Sequence, residues 1–266
     1  MDDNSKIKSY YTDSYDEDGR MKRNQLEFIR SKEIISRYLS VTPMKIADIG
    51  GATGVYSYWL ASQGHDVHLL DFTPSHIVQA KEYGKNHNLS LASYHCGDAR
   101  HLPYEDNCFD VVLLMGPLYH LQDKNDRLLC LSEAKRILKT GGVLMCALIS
   151  RYASLMDGFG EMLINDERFI NILDGGLENG QHSPGETPFF TSAFFHTPND
   201  IKNELITSGF SDIDLISVEG FARAVNTDEL LKNAEHKNLF LEYIKRTERV
   251  PELMGMADHF FAITRK

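Results

Sequence analysis

Short apolar runs alternate with amphipathic segments between residues 45 and 150. Continuous apolar runs of this length predict buried strands, and apolar positions spaced three to four residues apart predict helices. The predicted strands are residues 45–50, 66–71, 91–96, 109–115 and 143–149, and the predicted helices are 55–63, 74–87 and 123–138. Strands and helices that alternate in this way predict a parallel sheet with helices on both faces.

The pattern is different on either side of this region. Residues 21–40 have helical spacing, and Pro43 ends that stretch. After residue 150, a helix is expected over 153–173. A segment rich in Gly, Asn and Pro follows at 174–188, and an aromatic run follows at 189–195. The elements expected after the aromatic run are a helix over 198–208, a strand over 212–218, a helix over 226–247 and a strand over 259–264.

Composition restricts the possible partners of the chain. It has 266 residues and a formal net charge of −10, with 28 Lys and Arg against 38 Asp and Glu. Phosphate contacts need Lys and Arg, so we expect neither nucleic acid nor an anionic membrane surface as a partner. The four cysteines form no CxxC pair, and no apolar run is long enough to span a bilayer. The first residues show neither a basic nor an apolar stretch, so we expect no signal peptide. We therefore expect a cytoplasmic protein without a metal site.

A glycine-rich turn follows the first predicted strand in the segment Ile46-Ala47-Asp48-Ile49-Gly50-Gly51-Ala52-Thr53-Gly54. Glycines here let the chain turn sharply and let a ligand lie against bare backbone. A dinucleotide site favours G-x-G-x-x-G, but Ala52 and Val55 occupy the second and third glycine positions. Asp48 would repel a pyrophosphate and attract a cation. These features favour S-adenosylmethionine, which carries a sulfonium and an ammonium group.

Carboxylates also follow the next two strands. Asp71 ends the strand 66–71, where an acidic residue can reach both ribose hydroxyls of a nucleoside. Phe72 is placed to cover an adenine ring. Asp98 follows the third strand in the segment Cys96-Gly97-Asp98-Ala99-Arg100-His101-Leu102-Pro103.

Together these segments resemble the motifs of class I S-adenosylmethionine-dependent methyltransferases, in the family's order and at its spacing. The likeness covers roughly residues 45–150. The broad group that these segments resemble includes small-molecule enzymes such as ubiquinone and menaquinone methyltransferases. It implies an α/β, doubly wound, mostly parallel seven-stranded sheet of the Rossmann-like type. It also implies that the Asp98 carboxylate receives the adenine amino group and that the Ala99 amide donates to the ring. S-adenosylhomocysteine would be the product.

The loop after the fourth strand should face the transferred methyl group, and Met115 and Gly116 begin it. Tyr119 and His120 are the candidates for orienting or deprotonating the acceptor. Nucleic-acid amine methyltransferases often carry an Asn/Asp-Pro-Pro-Tyr motif here. The sequence Gly-Pro-Leu-Tyr lacks its amide or acid, which, with the net charge of −10, argues against nucleic-acid amines as acceptors.

Other parts of the chain are expected to complete the site. Tyr11 and Tyr15 are candidates to cover the methionine end of the cofactor, and Arg23 or Arg30 to pair with its carboxylate. The expected parts are an N-terminal helical cap segment (1–42), the cofactor-binding core (43–150), a helical and aromatic lid insertion (151–196) and the C-terminal part of the sheet with an inserted helix (197–266).

Several alternatives remain open from the sequence. The chain could be an NAD(P)-dependent oxidoreductase, a non-catalytic S-adenosylmethionine-binding protein, or a methyltransferase acting on protein or RNA. The missing glycines oppose the first, and the acidic charge opposes an RNA substrate. The acceptor, the atom methylated (O, N or C) and the oligomeric state stay undetermined.

Overall fold

Seven strands form one sheet in the computed structural model, which describes residues 25–185, 187 and 189–266. The spatial order is β3-β2-β1-β4-β5-β9-β8. The strands are β1 (Lys45–Ile49), β2 (Asp66–Asp71), β3 (Ser93–Cys96), β4 (Phe109–Leu114), β5 (Leu138–Ile149), β8 (Ser211–Ser217) and β9 (His259–Arg265). The prediction of a doubly wound, seven-stranded, mostly parallel sheet is confirmed.

The direction of the strands determines which residues meet at the functional edge. Strands β1 to β5 are mutually parallel, whereas β9 runs antiparallel to both β5 and β8. The register pairs Ile149, the last residue of β5, with His259, the first residue of β9. The start of β9 therefore lies at the edge where the parallel strands end. The strand order reverses between β1 and β4, which is where open α/β sheets bind ligands.

Helices cover both faces of the sheet. Their starts follow local signals: Pro74 occupies the first turn of one helix, and the Asp123 side chain accepts hydrogen bonds from the Asn125 and Asp126 amides at another. The helices are α1 (Gln25–Ser36), α2 (Val55–Ser62), α3 (Pro74–His87), α4 (Pro117–His120), α5 (Lys124–Ile137), α6 (Ala153–Gly160), α7 (Glu167–Asn179), α8 (Pro198–Thr207), α9 (Thr227–Lys232), α10 (Ala234–Thr247) and α11 (Pro251–Met254).

Two predicted helices are interrupted in the structure. The helix expected over 153–173 is split into α6, a 3-10 turn and α7, and Met162 adopts a left-handed φ of 57° between them. The helix expected over 226–247 is split at Asn233, whose backbone is extended and whose side chain caps α10. A two-stranded hairpin, β6 (Gln181–His182) with β7 (Ala193–Phe194), was not foreseen.

The core consists of two apolar clusters on opposite faces of the sheet. Along β4, Val112 and Leu114 belong to one cluster, while Val111 and Leu113 belong to the other. This alternation follows from the two-residue period of a strand. Helix α5 packs on the first cluster, and α1, α2 and α3 pack on the second. Among the residues described, no helix combines the length and apolar character that a bilayer crossing requires.

Candidate functional site

The turn after β1 presents bare backbone at the edge of the sheet. Gly50 has a φ of +74°, and a Cβ added there would lie 2.6 Å from Cδ of Pro117. A Cβ at Gly51 would lie 2.5 Å from Oδ2 of the buried Asp48. Contacts this short are not tolerated in packed proteins, so both positions require glycine. The Gly50 amide donates to the Leu70 carbonyl oxygen at 2.7 Å, which fixes the turn against β2.

Ala52 departs from the expected backbone conformation. Ala52 stands at one of the expected glycine positions, and its φ of 48° is the left-handed value that glycine adopts without strain. This conformation costs a residue with a Cβ about 1–2 kcal/mol. The Ala52 amide donates to Oδ2 of Asp71 at 2.9 Å, a bond to a charged group that offsets part of that cost. Gly54, with φ of +84°, starts α2 and does not line the cleft.

Asp48 lies beneath the turn, not in the cleft. Its side chain is fully buried, and Oδ2 accepts a hydrogen bond from the Ser57 hydroxyl at 2.6 Å. The expectation that this carboxylate attracts a cationic ligand directly is therefore corrected, because Asp48 supports the glycine turn from below. Burial raises the pKa of Asp48 to about 6, the Ser57 hydrogen bond opposes that rise, and the nearby charge of Asp71 adds to it.

The raised pKa of Asp48 predicts a pH dependence of stability. Its pKa in the folded protein, about 6, lies above the ordinary value of 3.8, so the folded state holds the proton more tightly. Stability from this group is fully present below the ordinary pKa and is lost as pH rises through about 6. Relative to Asp48→Asn, the wild-type free energy of unfolding should fall by about 2 kcal/mol between about pH 4 and pH 7. Urea unfolding across this range measures it, and parallel curves for the two proteins would contradict the raised pKa.

Asp71 connects the glycine turn to α3. While Oδ2 accepts the Ala52 amide, Oδ1 accepts the Thr73 amide at 2.8 Å and lies 3.0 Å from Nδ1 of His76. The carboxylate lines the cleft. Oδ2 has one partner and therefore a further lone pair, so these internal bonds leave acceptor capacity for a ligand hydroxyl.

Asp98 is held in a fixed orientation at the end of β3. Its carboxylate forms a bidentate pair with Arg100 and accepts the Arg100 amide at 2.9 Å. Arg100 also pairs with Asp126 of α5 at 2.6 Å. Burial pushes the pKa of Asp98 up, but the hydrogen bonds and charge of Arg100 lower it overall. Asp98 is therefore ionised at neutral pH and rigidly placed beside Ala99.

One cleft brings most of the predicted site residues together. It encloses about 1260 Å³ of space, a volume that includes solvent at its open mouth. The predicted residues that line it are Gly50, Gly51, Ala52, Asp71, Phe72, Asp98, Ala99, Met115, Gly116, Tyr119 and His120. Tyr11, Tyr15 and Arg23 lie outside the described residues.

The short helix α4 carries the two candidate catalytic residues. The Tyr119 hydroxyl donates to the Met115 carbonyl oxygen at 3.1 Å, and its ring lies 4.7 Å from the His120 ring. The His120 ring also lies 6.0 Å from Phe190. Tyr119 lines both this cleft and a second cavity beside it, which Ile149, Phe190 and other residues enclose. Any contact of Tyr119 with an acceptor would therefore use the lone pairs of an oxygen that already donates its proton.

A second titratable group lies at the junction of the two cavities, and sequence reasoning missed it. His259 lines both cavities, and its Nδ1 lies 2.7 Å from Oε1 of Glu219. The Glu27 carboxylate of α1 reaches the same place, with atoms of all three side chains within 4.8 Å of one another. No local sequence pattern indicates this cluster, because the three residues are far apart in the chain. The one available signal was the position of His259 at the start of the last predicted strand.

Two other basic side chains lie away from the cleft. Arg30, suggested as a partner for the cofactor carboxylate, is buried and pairs instead with Glu33 and with Glu248. That suggestion is corrected. His196 is fully buried 3.4 Å from Glu204, and burial is the main cause that lowers its pKa.

Comparisons with known proteins agree with this geometry. Residues 47–146 match the family model described as methyltransferase domain. Over 159 residues the chain is 39% identical to a demethylmenaquinone methyltransferase of Staphylococcus haemolyticus, a match that covers 59% of this chain and 63% of that protein. The chain thus spans somewhat under two thirds of the length of this curated relative.

Solved structures share the fold across most of the chain. A methyltransferase dependent on S-adenosylmethionine from Methanosarcina mazei superposes with a TM-score of 0.59 at 19% identity, covering 88% of this chain and 96% of the other. One from Mesorhizobium loti gives 0.58 at 14% identity, covering 91% and 100%. The resemblance stated from the sequence motifs is confirmed.

Proposed function

We propose that this chain transfers a methyl group to a small-molecule acceptor. The proposal starts from the class I S-adenosylmethionine-dependent methyltransferase domain that residues 47–146 form. The observation that carries the proposal is the cleft at the switch point of the sheet. It combines backbone that tolerates no Cβ, at Gly50 and Gly51, with the strand-end carboxylates Asp71 and Asp98. No single motif would suffice for this inference.

The cleft residues fit the cofactor. Asp71 would accept the ribose hydroxyls, Asp98 the adenine amino group, and the Ala99 amide would donate to the ring. The bare backbone at Gly50 and Gly51 would lie against the amino-acid portion. When bound, S-adenosylmethionine supplies an activated methyl group on sulfur. The protein then contributes positioning and the exclusion of water.

The charges in the cleft oppose the NAD(P) alternative. Arg100 is the one arginine or lysine among the described residues that line it, and Arg100 is already paired with Asp98 and Asp126. A pyrophosphate would meet the carboxylates of Glu27 and Asp71 without a cation to balance them. A sulfonium and an ammonium group gain from the same surroundings.

The second cavity is the proposed acceptor site. Its wall includes Phe190, Phe195 and Ile149 beside α6, so residues 151–196 would act as a lid over an apolar or planar acceptor. The net charge of −10 disfavours a nucleic-acid acceptor. All four cysteines are free, which is compatible with work in the reducing cytoplasm.

The reaction can be tested with the acceptor class of the curated relative. Purified protein is incubated with S-adenosylmethionine labelled on the methyl group and a reduced, short-chain demethylmenaquinone analogue, together with a panel of phenols and amines. Label transferred to an organic product supports the proposal. Tight binding of S-adenosylhomocysteine without transfer to any acceptor would support a non-catalytic binding protein instead.

Asp71 provides a residue-level test of cofactor binding. Replacing Asp71 by Asn removes the charge that strengthens hydrogen bonds to the ribose, so the affinity for S-adenosylhomocysteine should weaken by about 2 kcal/mol, or roughly 30-fold. Asp66→Asn, at the exposed opposite end of β2, is the matched control and should bind as the wild type does. Calorimetry measures both. Unchanged affinity in Asp71→Asn would remove Asp71 from the ribose site.

A further inference from the structure

We propose that His259, held in place by Glu219, accepts the proton that the methyl acceptor loses. The inference rests on the proposed function and deepens it, because it limits the acceptor to molecules whose reacting atom carries a removable proton. Such atoms are hydroxyl oxygens, amine nitrogens that bear hydrogen, and acidic ring carbons. Thioethers and tertiary amines need no base and lie outside this class.

The fold brings this pair together at the functional edge. Glu219 follows β8 by two residues, and His259 begins β9, which runs antiparallel to β8. The carboxyl end of β8 and the start of β9 therefore coincide with the ends of the parallel strands. Glu219 binds His259 twice: Oε1 lies 2.7 Å from Nδ1, and Oε2 accepts the His259 backbone amide at 2.9 Å.

The partner of Nδ1 determines the chemistry of the other ring nitrogen. A carboxylate has no proton to donate, so Nδ1 must carry the hydrogen in the Glu219 contact. In the neutral imidazole, Nε2 then has the lone pair that accepts a proton. Glu219 is about nine-tenths buried, which strengthens the bond and fixes the ring orientation.

The location of the ring suits proton transfer at the reacting atoms. The His259 ring lines both the proposed cofactor cleft and the proposed acceptor cavity. Among the residues that the structure describes, the charged groups around it are Glu219, Glu27 of α1 and Asp258, which is paired with Arg223. The surplus of carboxylates would stabilise an imidazolium formed by proton uptake.

The charges of the acceptor cavity further limit which molecules could be the methyl acceptor. Its described lining includes six carboxylates but only Arg223 and Lys232 as permanent cations, and Arg223 is paired with Asp157 and Asp258. An anionic acceptor would be repelled. We therefore infer a neutral or cationic acceptor. The carboxylates are Glu27, Asp157, Glu161, Glu219, Asp228 and Asp258.

The proton balance is simple. The lone pair left on the acceptor atom forms the bond to the methyl carbon, and the electron pair of the broken carbon–sulfur bond stays on sulfur. The acceptor proton moves to Nε2 of His259, where Glu219 balances the new charge. Solvent at the open mouth of the cleft removes that proton before the next turnover.

The protonation pattern of His259 can be measured without any acceptor. Protein labelled with ¹⁵N-histidine is studied by NMR at pH 8 with S-adenosylhomocysteine present, and the His259 signals are identified by their loss in His259→Gln. In the wild type we expect the His259 ring to carry a hydrogen on Nδ1 and none on Nε2. In Glu219→Gln we expect a shift toward the other tautomer. A ring protonated at Nε2 in the wild type would overturn the proposal.

Kinetics with the demethylmenaquinone analogue test the role in turnover. His259→Gln should lower kcat by about 100- to 10,000-fold and leave the affinity for S-adenosylhomocysteine within about twofold of the wild-type value. The activity of His259→Ala should be partly rescued by added imidazole. His236→Gln, on the exposed start of α10, is the matched control and should behave as the wild type does. A carboxylated analogue of the same hydroquinone should react at least about tenfold more slowly than the neutral one.

The outcomes separate this proposal from the proposed function. Full kcat in His259→Gln would overturn the role of His259 while methyl transfer stands. Absence of transfer in the wild type would overturn the proposed function, and the NMR result would still decide the state of His259. Activity lost on treatment with EDTA and restored by Mg²⁺ or Zn²⁺ would also overturn the proposal, because Glu27, Glu219 and His259 would then hold a cation.

Discussion

Replacing Gly50 by Ala should both destabilise the protein and abolish most of its cofactor affinity. The positive φ of +74° costs an alanine about 1–2 kcal/mol. The added Cβ would lie 2.6 Å from Cδ of Pro117, and overpacking of this kind costs a further 1–3 kcal/mol or so. Relief requires movement of α4, which carries Tyr119 and His120 in the cleft. We expect the affinity for S-adenosylhomocysteine to fall at least about tenfold.

Gly64→Ala separates backbone strain from the collision. Gly64 has a φ of +87°, and a Cβ there would have no neighbour within 4 Å. It should therefore show the backbone cost alone, with cofactor affinity unchanged. Urea unfolding and calorimetry of both variants provide the comparison. Equal stability and equal affinity in the two variants would show that the contact between Gly50 and Pro117 does not shape the cleft.

Replacing Glu248 by Ala should cause the largest loss of stability at a distance from the cleft. Its side chain is 1% exposed and pairs with Arg30, Arg37 and Arg249. Removing it leaves Arg30, itself 2% exposed, with the half-buried Glu33 as its one carboxylate partner among the described residues. Breaking a buried ion pair from one side typically costs several kcal/mol, and we expect about 3 kcal/mol here. Helix α1 would also loosen, and α1 places Glu27 and Ser31 in the cleft.

Glu229→Ala is the matched surface control. Glu229 pairs with Lys232 within α9, and both side chains are about 70% exposed. Exposed pairs contribute little, so the free energy of unfolding should change by less than about 0.5 kcal/mol. Thermal or urea unfolding measures both variants. A loss below about 1 kcal/mol in Glu248→Ala would mean that the buried arginines find other partners.

Much of the fold follows from local patterns in the sequence. The apolar runs of β1, β2 and β4 and the amphipathic α5 are long and regular, and turn signals separate them. Their alternation specifies a parallel sheet, because such strands need helical crossovers. The breaks at Met162 and Asn233 could not be predicted in this way, because the left-handed backbone of Met162 and the extended backbone of Asn233 are not specified by hydrophobic periodicity.

The cofactor half of the candidate site was predictable for the same reason. Gly50, Asp71 and Asp98 each lie within two residues of the carboxyl end of a strand, so placing the strands side by side places these residues together. Asp48 was misplaced because spacing alone does not tell which face of β1 a side chain takes. The left-handed φ of Ala52 depends on the Asp71 carboxylate, which is distant in sequence.

The proposed acceptor half was less accessible to sequence reasoning. Glu27, Glu219 and His259 come from three distant segments, and their meeting depends on the antiparallel direction of β9. No local pattern specifies that direction. The sequence suggests Arg30 as a partner of the cofactor carboxylate because it is a basic residue near the expected site. Its buried partner Glu248 lies 218 residues further along the chain, so no local pattern reveals the pair.

The cofactor can be identified by calorimetric titration of the purified protein with S-adenosylhomocysteine, with NADH titrated in parallel. We expect micromolar binding of S-adenosylhomocysteine at one site and no binding of NADH. Binding of NADH alone, or of neither ligand, would contradict it and would reduce the Gly50–Gly51 turn to a structural connection between β1 and α2.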